Sequence, residues 1–169
     1  GSQDVGSTEA VFIDLTNGRY LIDDPAGQAA GIVVNVENVG GSRFADDITG
    51  TEGDNRFDGF SGDDTISGLG GNDVFNAVGG DQVWLGGAGN DTMRGSLVGD
   101  DTLSGGSGND VLEGNALTGS SSTLGRNTFL FDVAPGTANA DLIVDFTTGQ
   151  DKVTLNGIAH TDSGPSGNF

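Results

Sequence analysis

Cysteine is absent from the 169 residues, which excludes disulfides, zinc–thiolate sites and cysteine nucleophiles together. Basic residues are scarce. Lys plus Arg number 6 against 25 Asp plus Glu, a formal charge of −19. Such a chain lacks the basic patches that nucleic acid and anionic membrane surfaces require. The 3 prolines, and 32 glycines without a triplet period, fit neither a collagen-type helix nor a Pro-rich linker. No apolar run is long enough for a membrane-spanning helix. The single histidine, His160, excludes an H-E-x-x-H zinc signature and would leave any Ser-His pair resting on a tail residue. Neither a G-x-S-x-G elbow nor a phosphate-binding glycine loop occurs, so the chain reads as non-catalytic. Gly1-Ser2 reads as a cloning remnant with no signal peptide behind it. The length suits one modest domain. Yet 34% hydrophobic residues at this charge describe a disordered chain, unless something neutralises the acids.

What the chain does have is a repeat of nine residues. Gly86-Gly87-Ala88-Gly89-Asn90-Asp91-Thr92-Met93-Arg94 and Gly105-Gly106-Ser107-Gly108-Asn109-Asp110-Val111-Leu112-Glu113 share one pattern. Stepping back by nines gives units from Ala77, Gly68, Gly59, Gly50 and Gly41. Stepping forward takes Gly95 as an extra residue before a unit from Ser96 to Ser104. The eighth position is always apolar: Ile48, Phe57, Ile66, Phe75, Trp84, Met93, Leu103, Leu112. The sixth reads Asp46, Asn55, Asp64, Asp73, Gln82, Asp91, Asp101, Asp110. Glycines permit the tight turns and each unit offers one inward apolar side chain, which suits stacked short strands around a narrow core.

The pattern G-G-x-G-x-D-x-U-x over 41–113 resembles the RTX (hemolysin-type) calcium-binding repeat. That resemblance implies an all-β fold, a right-handed parallel β-roll (a β-solenoid). Six residues form each turn and three a short strand, with alternate turns on opposite edges. Unit n then stacks on unit n+2. One edge carries Asp46, Asp64, Gln82 and Asp101, the other Asn55, Asp73, Asp91 and Asp110.

Calcium takes six to eight oxygens, carboxylate and carbonyl alike. The resemblance implies that each ion joins the sixth-position acids of two stacked turns to nearby carbonyls. Carried over residue by residue, Asp73 and Asp91 act with the carbonyls of Leu69, Gly71, Gly86 and Ala88. Asp91 and Asp110 act with Gly87, Gly89, Gly105 and Ser107. Those two sites rank first. Asp46 with Asp64, aided by Gly59, Ser61 and, more weakly, Ser42, ranks third because Phe44 replaces a glycine. Asn55 with Asp73, Gly53, Gly68 and Gly70 has lost one charge and ranks lower. Gln82 spoils both of its pairings, so Asp101 is a weak ligand. Its loss is expected to cost ~1 kcal/mol or less, as for a surface turn former. Three to five ions would bring the formal charge from −19 to roughly −13 to −9, two units per ion.

Outside the repeats, residues 1–40 read as a β-rich lead-in, with strands over Val11–Leu15 and Ile32–Val36 around a turn at Asp23–Gly27. Val36–Ser42 resembles the coil that precedes such repeats. Gly125–Phe131 reads as a degenerate turn and strand after a polar loop, Ser120–Thr123. Within 114–158, Asp141–Leu155 is similar to the segment closing RTX rolls in serralysin-type proteases and mannuronan epimerases. Residues 159–169 read as a flexible tail. Val83, Leu85 and Val74 should face outward.

The resemblance implies a calcium-binding module of a larger bacterial protein, secreted or at the cell surface by type I secretion and folding on meeting extracellular calcium. Its expected partners are calcium and other domains of that parent, with the module itself monomeric. The alternatives are the distal module of an adhesin or surface-layer protein, and the non-catalytic C-terminal domain of a secreted protease, lipase or epimerase. An ice-binding roll would want a threonine rank, and position three has none.

Overall fold

The computed structural model describes residues 2–4, 9–22, 29–115, 125–133 and 139–156. The expected turn at 23–27, the loop at 120–123 and the tail from 159 lie outside the described residues. Among these there is no helix; the chain forms strands β1 (Ser2–Asp4), β2 (Val11–Asp14), β3 (Arg19–Ile22), β4 (Ala29–Ile32), β5 (Asn38–Gly40), β6 (Asp47–Thr49), β7 (Arg56–Ser61) and β8 (Thr65–Gly70). They continue with β9 (Val74–Gly79), β10 (Val83–Ala88), β11 (Thr92–Arg94), β12 (Thr102–Ser107), β13 (Val111–Glu113), β14 (Thr128–Phe131), β15 (Leu142–Ile143) and β16 (Lys152–Leu155).

The strands alternate between two sheets. One runs β1-β5-β7-β9-β11-β13-β15, the other β16-β14-β12-β10-β8-β6-β2-β3-β4. Pairing is parallel from β6 through β16, and each strand meets the one two units away: Phe57 lies beside Phe75, Phe75 beside Met93, and Ile66 beside Trp84. This is a parallel β-roll. The period-nine column explains it, because only n to n+2 stacking brings every eighth-position side chain inward.

Two apolar files fill the space between the sheets. Ile48, Ile66, Trp84, Leu103 and Phe129 form one; Val39, Phe57, Phe75, Met93 and Leu112 form the other. The rings of Phe57 and Phe75 lie 5.0 Å apart, and those of Phe75 and Trp84 5.5 Å. Val83 and Leu85 are exposed and Val74 is half-buried, as strand alternation around Trp84 and Phe75 requires.

Three expectations needed correction. The strand placed over Ile32–Val36 ends at Ile32. Val33 N–H instead donates to Gly18 O at 2.9 Å, and Asn35 takes a left-handed φ of 56° that no strand continues through. An unforeseen strand, β3, pairs antiparallel with both β2 and β4 and finishes that sheet. Five of the repeat strands run six residues rather than three. The cause is that positions two and three of the next unit resume the ladder after a break at position one, as Gly87 and Ala88 do beside Leu69 and Gly70.

The first-position glycine is needed for space. A Cβ on Gly86 would fall within 3.0 Å of both Asp91 Oδ2 and Gly105 O. At Gly53 the nearest atom would be Thr51 Oγ1 at 3.8 Å. Gly86→Ala should therefore destabilise the folded chain by about 1–3 kcal/mol, the range for overpacking. Gly53→Ala should be nearly neutral. Chemical denaturation in saturating calcium compares the two, and equal losses would contradict the geometry.

Candidate metal sites

Each turn delivers its sixth residue to the inside of an edge. Asp64 is 0% exposed and Asp73, Asp91 and Asp110 are each 1% exposed. Their Oδ1 atoms form a ladder along the edge. Asp91 accepts from Asp73 N–H at 2.8 Å, Asp110 from Asp91 N–H at 2.8 Å and Asp73 from Asn55 N–H at 2.7 Å. The ladder continues past the repeats, with Asp110 N–H donating to Asp141, Asp101 N–H to Asn127, and Asn127 N–H to Asp151. Asp141, Asn127 and Asp151 thus stand at sixth positions that the nine-residue count does not reach.

The second carboxylate oxygen separates two kinds of turn. In Asp64, Asp73, Asp91 and Asp110, Oδ2 is buried with no hydrogen-bond partner. A buried carboxylate oxygen without a donor is costly and calls for a cation or a proton. In Asp46 and Asp101, Oδ2 is already satisfied: it accepts the N–H of Ser42 at 2.5 Å and of Ser96 at 2.9 Å. The backbone differs in step. The second residues of the four open turns, Phe60, Leu69, Gly87 and Gly106, have φ of 65°, 75°, 110° and 96°. Two of these are not glycine, so left-handed strain sits in the turns whose carboxylates are open.

Carbonyls face the same gaps. A Cβ on Gly87 or Gly89 would strike Leu69 O or Gly71 O of the turn below, and one on Gly68 would meet Gly86 O of the turn above at 2.7 Å. Between turns 86–91 and 105–110, Gly87 O and Gly89 O stand in the same relation to Gly106 and Gly108, and Gly105 O to Gly86. Two carboxylates framed by main-chain oxygens suit a hard cation of calcium size. Among the described residues no three acidic or histidine side chains cluster.

Burial raises the acids. Asp64 and Asp110 are pushed up to about 7, and Asp73, Asp91 and Asp101 to about 6, in each case chiefly by loss of solvent. Neighbouring carboxylates add to this: Asp46 and Asp63 at Asp64, Asp73 at Asp91, Asp141 and Asp91 at Asp110. At neutral pH these groups oppose folding unless a proton or cation joins them.

The RTX calcium-binding nonapeptide repeat family matches the chain in four copies, over residues 40–75, 79–98 and 97–116. These are RTX repeats. Such repeats bind calcium in general and are typical of secreted extracellular bacterial proteins. No curated protein matches the chain in sequence. No helix of the described residues is long and apolar enough to cross a membrane.

Two details of the RTX turns differ from the sequence reading. Gly95 is not an extra residue. A Cβ there would meet Asp101 Oδ2 and Gly114 O, as one on Gly86 would meet Asp91 Oδ2 and Gly105 O, so Gly95 fills the first position. The surplus residue lies inside the turn, ahead of Gly99. Nor is Asp101 a surface turn former. It is fully buried and accepts from Gln82 N–H at 2.9 Å as well as from Ser96 N–H.

A second ladder was missed. Fifth-position side chains accept from the N–H of the fifth residue two units on: Asp54 from Asn72, Asn72 from Asn90, Asn90 from Asn109, Asp63 from Asp81, and Asp81 from Asp100. The signal was present in the sequence, since that column reads Asp or Asn in every unit except the one with Ala45. It stacks the turns without metal.

Proposed function

We propose that the chain is a calcium-dependent folding module of a larger secreted bacterial protein. Its RTX roll stays open at cytosolic calcium and closes outside the cell, in support of type I secretion and of the parent's stability. The observation that carries this reading is the set of buried, partnerless Oδ2 atoms on Asp73, Asp91 and Asp110, stacked with carbonyls in the gaps between them. Without cations the roll must bury these carboxylates as charges or as protonated acids, and its two narrow apolar files have little to offset that cost. Millimolar calcium supplies the missing charge, so binding and folding become one equilibrium.

The primary sites lie between turns 68–73 and 86–91 and between 86–91 and 105–110. The gap from 50–55 to 68–73 holds one carboxylate and one amide. The gap from 41–46 to 59–64 has Asp64 open and Asp46 already hydrogen-bonded to Ser42 and Val11.

Far-UV circular dichroism tests the proposal. In excess chelator the spectrum should be largely disordered, and about a millimolar calcium should restore a β-rich signal. Magnesium should substitute poorly, because it resists giving up its waters to a cage of carbonyls. A full β signal in chelator would defeat the coupling of folding to calcium.

A further inference from the structure

The two edges of the roll are not equivalent. On the edge of Asp73, Asp91 and Asp110 the gaps hold open carboxylate oxygens. On the other edge, the turn 77–82 carries Gln82 where an acid would stand, and its amide nitrogen is fully used. Gln82 Nε2 donates to Gly62 O at 2.8 Å and to Gly79 O at 3.2 Å. Gly62 is the fourth residue of the turn below and Gly79 the third residue of Gln82's own turn. Gly71 and Ala88 hold the equivalent places around the first calcium gap of the opposite edge. The next gap up repeats the device with a different side chain. Ser96 Oγ lies 3.0 Å from Gly80 O, 2.9 Å from Val98 O and 3.4 Å from Asp101 Oδ2. Gly80 and Val98 again hold the fourth and third places, given that Gly99 aligns with Gly80 and the surplus residue falls before Val98.

From this geometry we infer that the two gaps flanking turn 77–82 take no calcium, because the Gln82 amide and the Ser96 hydroxyl stand in for the cation. Each brings a proton donor to the carbonyls that a metal would otherwise gather. Gln82 also removes one of the two carboxylates that a cation here would bridge; Asp64 Oδ2 and Gln82 Oε1 stay buried without partners beside the lower gap, where Asp64 belongs to the ion site toward turn 41–46. Calcium is thereby confined in this stretch to the opposite edge. The inserted residue of the turn 95–101 carries the same meaning. It lengthens that turn where Ser96, rather than an ion, draws it against Gly80.

The inference rests on the calcium-binding reading above, and ion counting separates the two. Calcium per chain is measured by equilibrium dialysis and calorimetry for the wild type, Gln82→Met, Gln82→Asp and Gln82→Asp/Ser96→Gly. Gln82→Met removes the donor while keeping length, and should lose no ion while lowering the midpoint of thermal unfolding in saturating calcium. Gln82→Asp should bind one ion more than wild type, and the double variant up to two more. A lower ion count in Gln82→Met would make Gln82 a calcium ligand and overturn the inference. So would an unchanged count in a folded Gln82→Asp. A wild type that binds no calcium would instead defeat the proposed function.

Discussion

Asp91→Ala should abolish two calcium sites and raise the calcium midpoint for folding at least tenfold, about 1.4 kcal/mol or more in binding free energy. Asp91 stands between Asp73 and Asp110, donating N–H to one carboxylate and accepting from the other residue's N–H, with Oδ2 open to the gaps. On the proposed reading this one side chain would serve an ion below and an ion above. Asp101 has the same chemistry and a comparable depth, but both of its oxygens already hold N–H groups, those of Gln82 and Ser96. Asp101→Ala leaves those two donors buried without acceptors, at a cost of about 1–3 kcal/mol each. That loss should be much the same at every calcium concentration and leave the ion count unchanged. Calcium titrations at several denaturant concentrations distinguish a shifted calcium midpoint from a uniform loss of stability. If Asp101→Ala also lost ions, the distinction between open and serine-capped turns would be wrong.

The second large effect is on pH, and calcium should reverse its sign. In the metal-free roll Asp64 and Asp110 titrate at about 7 and Asp73, Asp91 and Asp101 at about 6, against an unperturbed 3.8. Folded values above unfolded ones mean that the folded state holds its protons more tightly. Stability from these groups is thus fully present below the unfolded value of 3.8 and is lost as pH rises through 6 to 7. In chelator, the β signal should be greater near pH 5 than near pH 8, by about an order of magnitude in the folding equilibrium for each group held near 6. In calcium the protons compete with the ion for the oxygens of Asp73, Asp91 and Asp110, so the calcium needed for folding should rise as pH falls through that window. Circular dichroism against pH, with and without calcium, reads both slopes. Parallel slopes would show that these carboxylates are not the calcium ligands.

Much of this molecule is legible as a period. A nine-residue spacing that holds an apolar eighth column from Ile48 to Leu112 admits the two-sheet roll. In that roll the sixth column necessarily falls at the turns. The lead-in was harder to read because β3 owes its existence to pairing with β2 and β4, and a four-residue run such as Arg19–Ile22 carries no periodic signal. Ile32–Val36 misled for the converse reason: its β propensity is strong, but Val33 and Asn35 are bent away by contacts and backbone angles set elsewhere.

By itself, then, the sequence determined stacked short strands with one buried apolar residue per unit and a column of acids, because these follow from spacing and polarity, while the two-sheet roll and its n to n+2 stacking came through the resemblance to RTX repeats. Tertiary structure alone decided which acids remain open. Phe60 and Leu69 adopt a left-handed backbone that their identities disfavour. Ser96 and Gln82 spend side-chain donors on carbonyls 16 and 20 residues away. Whether a carboxylate waits for a cation depends on how its own turn is folded, since Asp46 and Asp101 take the N–H of Ser42 and Ser96 only four and five residues back, and a one-dimensional pattern does not contain that geometry.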